Sequence, residues 1–96
     1  MELYIFARFH ACPGHEQVVE DALTECMVPT RAEAGCLGGQ VFRSIRDPRL
    51  FYVHSRWRDE AAFERHAEEP HTVRMLARVE PLIDHGLDVT RSTPIG

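Results

Sequence analysis

The chain has 96 residues, 44% of them hydrophobic and 27% charged. Those fractions belong to an ordinary globular domain and exclude disordered, collagen-like and coiled-coil chains. Eleven basic against 15 acidic residues leave a net charge of −4. The arginines are spread from Arg8 to Arg91 without a basic run. Nucleic acid, which needs clustered cations to release counterions, is not an expected partner. No apolar stretch is long enough to span a membrane, and the first residues carry neither the basic region nor the cleavage site of a signal peptide. Three cysteines, Cys12, Cys26 and Cys36, form no C-x-x-C. They read as free thiols in a reducing cytoplasm.

The first ten residues alternate as a strand, with Leu3, Ile5, Ala7 and Phe9 on one face and Tyr4, Phe6, Arg8 and His10 on the other. Large side chains on both faces predict a strand covered on both sides. Pro13-Gly14 ends it. A helix is expected from about His15 to Ala34. Its apolar stripe is Val18, Ala22 and Cys26 beside Val19, Leu23 and Met27. Pro29 is expected to kink or interrupt it, and Gly35 to stop it. Cys36 to Ser44 reads as strand two, with Gly38-Gly39 as a bulge or a close backbone approach. Asp47-Pro48 turns the chain into strand three, Leu50 to Trp57.

Asp59 reads as the N-cap of a helix that reaches Glu68 and is broken by Pro70. A second helical piece is expected from His71 to Leu82. Its inward set is Val73, Leu76 and Val79, or Leu76, Val79 and Ile83. Leu87 to Arg91 reads as a last short strand, and 92–96 as a loose tail. The order βαββαβ is that of a single α+β, ferredoxin-like split βαβ domain over residues 1–96. It implies an antiparallel four-stranded sheet with helices on one face. Tyr4, Phe6, Tyr52 and Val41 or Phe42 would then need cover on the other face. Packing two such faces predicts a homodimer, a dimeric α/β-barrel.

Six histidines raise the question of metal. No pair has the i, i+4 spacing that aims two imidazoles from one helix face, and no carboxylate completes a recognisable set. The sequence therefore expects no metal. His66 borders the apolar stripe of its helix and points toward Trp57. It is either a core histidine bonded to the backbone or a base in a hydrophobic pocket, a role suited to a pKa near 6.5. His71 either reaches the mouth of the same pocket or caps the second helical piece. Trp57, Phe9, Phe51, Phe63 and Met75 either line an aromatic cavity or fill a plain core. No glycine-rich nucleotide loop or nucleophile elbow is present, so flavin, nicotinamide and nucleotide cofactors have no local support in the sequence.

Several segments together resemble a known family. They are Pro13-Gly14, Thr30-Arg31-Ala32-Glu33-Ala34-Gly35-Cys36-Leu37, Asp47-Pro48, Trp57 through His66, and Glu69-Pro70-His71. The pattern is similar to antibiotic biosynthesis monooxygenase domains of the quinol-monooxygenase type. The resemblance implies a ferredoxin-like domain that dimerises through its sheets. It also implies oxidation of a small aromatic or quinol-like substrate by O₂ without metal or flavin. His66 then matches the family's histidine, as base or hydrogen-bond partner, and Trp57 its tryptophan, as pocket wall. Many relatives carry a glutamate two residues before the tryptophan, where this chain has Ser55. Haem-degrading relatives carry an asparagine and a histidine where this chain has Ala7 and Leu76, which disfavours haem chemistry. The alternative is a non-catalytic dimeric module that binds a small molecule in the same pocket.

Overall fold

A computed structural model describes all residues, 1–96. Strand β1 spans Leu3–His10, helix α1 Glu16–Arg31, β2 Cys36–Arg43, β3 Leu50–Trp57, α2 Glu60–Glu68, α3 Pro70–Val79 and β4 Asp88–Ser92. The four strands form one antiparallel sheet in the order β2-β3-β1-β4. This is the ferredoxin-like order, in which β3 inserts between the two strands joined by α1.

Register decides the faces. Ile5 pairs with Ser55, Ala7 with Val53 and Phe9 with Phe51 across β1 and β3. Directly opposed residues share a face, so these side chains all point toward the helices. The buried core joins Ala7, Phe9 and Phe51 to Val19, Ala22 and Leu23 of α1 and Val79 of α3. A second cluster holds Ile5, Trp57 and Ala62, with Phe63 packed against it.

Three details differ from the sequence expectation. Helix α1 runs through Pro29 to Arg31. The proline sits on the exposed side of the last turn, where the Glu25 carbonyl that loses its donor can be hydrated. Val18, placed in the apolar stripe, lies at its exposed margin. Helix α3 ends at Val79, and Glu80–Leu82 continues as one 3₁₀ turn around Pro81. Its inward set includes Val79, with Leu82 and Ile83 packed against the core, while Val73 is exposed.

Other local readings match. The Asp59 carboxylate accepts the Ala62 N–H at 2.8 Å, capping α2. Pro70 opens α3 at a position where no helical donor is lost. The register shifts between Cys36 and Gly38, so the extra residue is Leu37, just before the expected glycine pair, which is itself regularly paired. Gly39 lies against the Met27 sulfur, which an added Cβ would meet at 2.7 Å.

The outer sheet face has no cover within the chain. Phe6, Phe42 and Tyr52 are each 40–49% exposed there. His54 stacks on Phe6 at 4.6 Å and the Arg56 guanidinium lies over Tyr4.

Candidate functional site

A cavity of about 350 Å³ opens between the inner sheet face and helices α2 and α3. Its floor is Ile5, Ala7 and Phe9 of β1, Val53 and Ser55 of β3, and Val89 of β4. Its roof is Phe63, His66 and Ala67 of α2, with Thr72, Met75 and Leu76 of α3. Most of this surface is apolar, with His66, Ser55, Thr72 and Arg91 as the polar exceptions. That is the usual make-up of a small-molecule site, and the volume is at the small end of the usual range of about 300–1,000 Å³.

Four of the expected pocket residues line this cavity: His66, Phe9, Phe63 and Met75. Three do not. Phe51 is fully buried in the main core, in one cluster with Phe9 and with Val19, Ala22 and Leu23 of α1. Trp57 is completely buried behind His66, whose ring lies 4.7 Å from the indole. Trp57 thus backs the wall instead of forming its surface. His71 is not part of this lining and instead borders a separate groove between α1 and α3.

The surroundings of His66 correct the sequence reading most. Its Nδ1 donates to the Glu33 carboxylate at 2.8 Å, with the Thr72 hydroxyl 3.2 Å from the same nitrogen. His71 Nε2 meets the same Glu33 oxygen at 2.6 Å. All three side chains are only 10–15% exposed. A carboxylate therefore does join the histidines. It comes from the turn after α1, not from the strand position that Ser55 occupies. Neither the core reading of His66, bonded to a backbone carbonyl, nor the capping reading of His71 describes this arrangement.

Gly35 makes the turn possible. Its φ of 88° suits glycine, and its carbonyl accepts the Arg58 N–H at 2.8 Å, tying the turn to the end of β3. Glu33 is thereby held over α2. Its carboxylate selects the His66 tautomer with hydrogen on Nδ1, which leaves Nε2 as the ring nitrogen free to take a proton. Ser55 has a different task. It accepts the indole N–H of Trp57 at 2.9 Å, so the buried Trp57 is satisfied.

Sequence reasoning missed Glu33, Thr72 and Arg91. Glu33 stood inside the quoted segment, but nothing local marks a lone glutamate in a turn. Arg91 lines the cavity edge, lies over the Phe63 ring at 5.2 Å, and pairs with Glu60 at 2.6 Å and Glu64 at 3.3 Å. Burial pushes the Cys26 and Cys36 thiols upward, so neither is an activated nucleophile.

Comparison with known proteins agrees with the fold. The sequence profile described as "Antibiotic biosynthesis monooxygenase" matches residues 3–78. A Mycobacterium tuberculosis protein named "Putative monooxygenase Rv0793" is 29% identical over 91 residues, covering 95% of this chain and 89% of its own. The crystal structure of PA3566 from Pseudomonas aeruginosa superposes with a TM-score of 0.91 at 34% identity, covering 99% of this chain and 95% of that one. The structure of Rv0793 superposes with a TM-score of 0.93 at 26% identity, covering 100% and 97%. With the profile spanning most of its length and the fold shared end to end, this chain is a member of the antibiotic biosynthesis monooxygenase family.

Proposed function

We propose that the chain is a cofactor-independent monooxygenase that oxidises a small phenolic or quinol-like substrate with O₂ in the cavity under α2 and α3. The Glu33–His66 hydrogen bond at the cavity wall carries this reading. A phenol or hydroquinone becomes an electron donor to O₂ once it loses a proton. The protein then needs a base and an apolar pocket that orients the substrate and excludes water. His66 Nε2 is the base. Glu33 fixes its tautomer and balances the imidazolium that forms, the division of labour seen in carboxylate–histidine pairs of other enzymes. The substrate loses two hydrogens and gains one oxygen, and the second oxygen atom of O₂ leaves with those hydrogens as water. Phe9, Phe63 and Met75 supply the apolar walls.

The working unit in this proposal is a homodimer. Phe6, Phe42 and Tyr52 form an exposed apolar face on the side of the sheet away from the cavity. A second copy seated there would cover both faces at once without blocking either pocket.

The test is O₂ uptake by metal-free protein with a panel of hydroquinones and polycyclic phenols. Wild type should consume O₂ above the spontaneous rate. General-base catalysis contributes about 10²–10⁴-fold, so His66→Ala should lose that much in kcat. Glu33→Gln, which keeps the shape but not the charge, should lose at least about tenfold of it. Ligand-induced thermal stabilisation without O₂ uptake would replace the enzyme with a binding module.

A further inference from the structure

We propose that Glu33, His66 and His71 form a binding site for one zinc-class divalent cation. The inference does not depend on the oxidation reading. Three ligand atoms from three separate elements converge here: a carboxylate oxygen from the turn after α1, Nδ1 of His66 on α2 and Nε2 of His71 on α3. All lie within 4.8 Å of one another. Two imidazoles and a carboxylate are a ligand set that zinc accepts, with the fourth position left to water or a hydroxyl. Thr72 already places a hydroxyl beside His66 Nδ1 at 3.2 Å.

The spacing is close to what an ion needs. Ligands about 2.0–2.1 Å from a tetrahedral zinc stand roughly 3.3–3.4 Å apart. The carboxylate oxygen is now 2.8 Å from His66 Nδ1 and 2.6 Å from His71 Nε2. Admitting the ion means opening these two oxygen–nitrogen pairs by roughly 0.5–0.8 Å, within the reach of small side-chain rotations. The charge balance points the same way. The Glu33 carboxylate is 10% exposed, and its ion-pair partners are the two histidines alone. No arginine reaches it, so a neutral pair of imidazoles leaves its charge unbalanced. A divalent ion supplies that balance, with the hydrogen of each ring moving to its opposite nitrogen, His66 Nε2 and His71 Nδ1.

Access is through His71, which lines the groove between α1 and α3, on the side of α3 away from the substrate cavity. His66 belongs to both places. A cation on Nδ1 displaces the hydrogen that Glu33 holds there, so ion binding and the tautomer described above exclude one another.

The experiment titrates Zn²⁺ alone into the purified, chelator-stripped full chain without substrate. A competing indicator dye and the fluorescence of Trp57, whose indole lies 4.7 Å from the His66 ring, are both followed. Wild type should take up one ion per chain with a change in Trp57 emission, and the ion should raise the melting temperature by mass action. Mg²⁺, which prefers octahedral oxygen ligands, should do neither. Loss of an outer-shell partner alone weakens metal sites by about 10–100-fold, so loss of a ligand in Glu33→Gln or His71→Asn should weaken Zn²⁺ by more than about 100-fold. Thermal melts in the absence of metal identify a variant that fails to fold, and the other variant then decides. Absence of stoichiometric uptake by wild type overturns the proposal. So does uptake that both folded variants retain, because the ion would then sit elsewhere. Since no substrate is present, either result leaves the O₂ experiment to be judged separately.

Discussion

Replacing Gly35 with alanine tests whether one turn holds the site together. Two separate costs arise. The residue sits at φ 88°, where a Cβ adds about 1–2 kcal/mol of backbone strain. The same Cβ would lie 2.6 Å from the Cβ of Ala62 on α2, a contact that real structures do not tolerate. Relief requires α2 to move away from the turn, and overpacking of this kind costs about 1–3 kcal/mol. Together the two terms give about 2–5 kcal/mol. Gly14 is the built-in control. It has nearly the same φ, 87°, but a Cβ there would meet nothing within 4 Å. Gly14→Ala should therefore cost only the backbone term, about 1–2 kcal/mol. Urea unfolding followed by the single tryptophan, Trp57, measures both at one fixed protein concentration. In thermal melts, each kcal/mol corresponds to about 4–8 °C for a domain of this size. The steric part also points at the site, because α2 carries His66 and the turn carries Glu33. Gly35→Ala should thus weaken the Glu33–His66 bond as well as the fold. A Gly35→Ala variant no less stable than Gly14→Ala would refute the reasoning, since the steric term would then be absent.

Three further outcomes are expected. Hydrogen bonds that the His10 ring donates to Asp84 and then Asp47 raise its pKa above its ordinary value of 6.5, so this ring stabilises the fold fully below that value and loses its effect as pH rises through the raised one. The melting-temperature advantage of wild type over His10→Asn should be largest at mildly acidic pH and fade toward alkaline pH. It should also fade in strong acid, as the lowered pKa values of Asp84 and Asp47 are passed. An advantage that grows with alkalinity contradicts this account. Trp57→Phe should cost about 1–3 kcal/mol in urea unfolding followed by circular dichroism, because the buried Ser55 oxygen loses its donor; adding Ser55→Ala should recover part of that loss, and no recovery would mean that the hydrogen bond is not the cause. Phe6→Asp places a charge in the exposed sheet face and should shift sedimentation from dimer to the 11.0 kDa monomer, whereas a wild type that already sediments as monomer removes the proposed interface.

What the sequence alone determined was local. Alternation placed Ile5, Ala7 and Phe9 on one face of β1, and helical spacing placed Val19, Leu23 and Met27 on one face of α1. The Asp59 cap and the close approach at Gly39 were equally legible, because each depends on a few consecutive residues. These patterns fix dihedral angles and faces, and with the chain order they are enough for the ferredoxin-like plan. Which aromatic lines the cavity was not legible: Phe9 and Phe51 oppose each other in register, and only the packing of α2 and α3 over the sheet separates cavity wall from core. The carboxylate of the site was hidden for a stronger reason. Glu33 stands 33 residues from His66 and 38 from His71, and the three meet only because the Gly35 turn, α2 and α3 close on one another. Short-range preferences are written in neighbouring residues, whereas a contact across loops depends on how whole elements pack, so that part of the site was decided by tertiary structure.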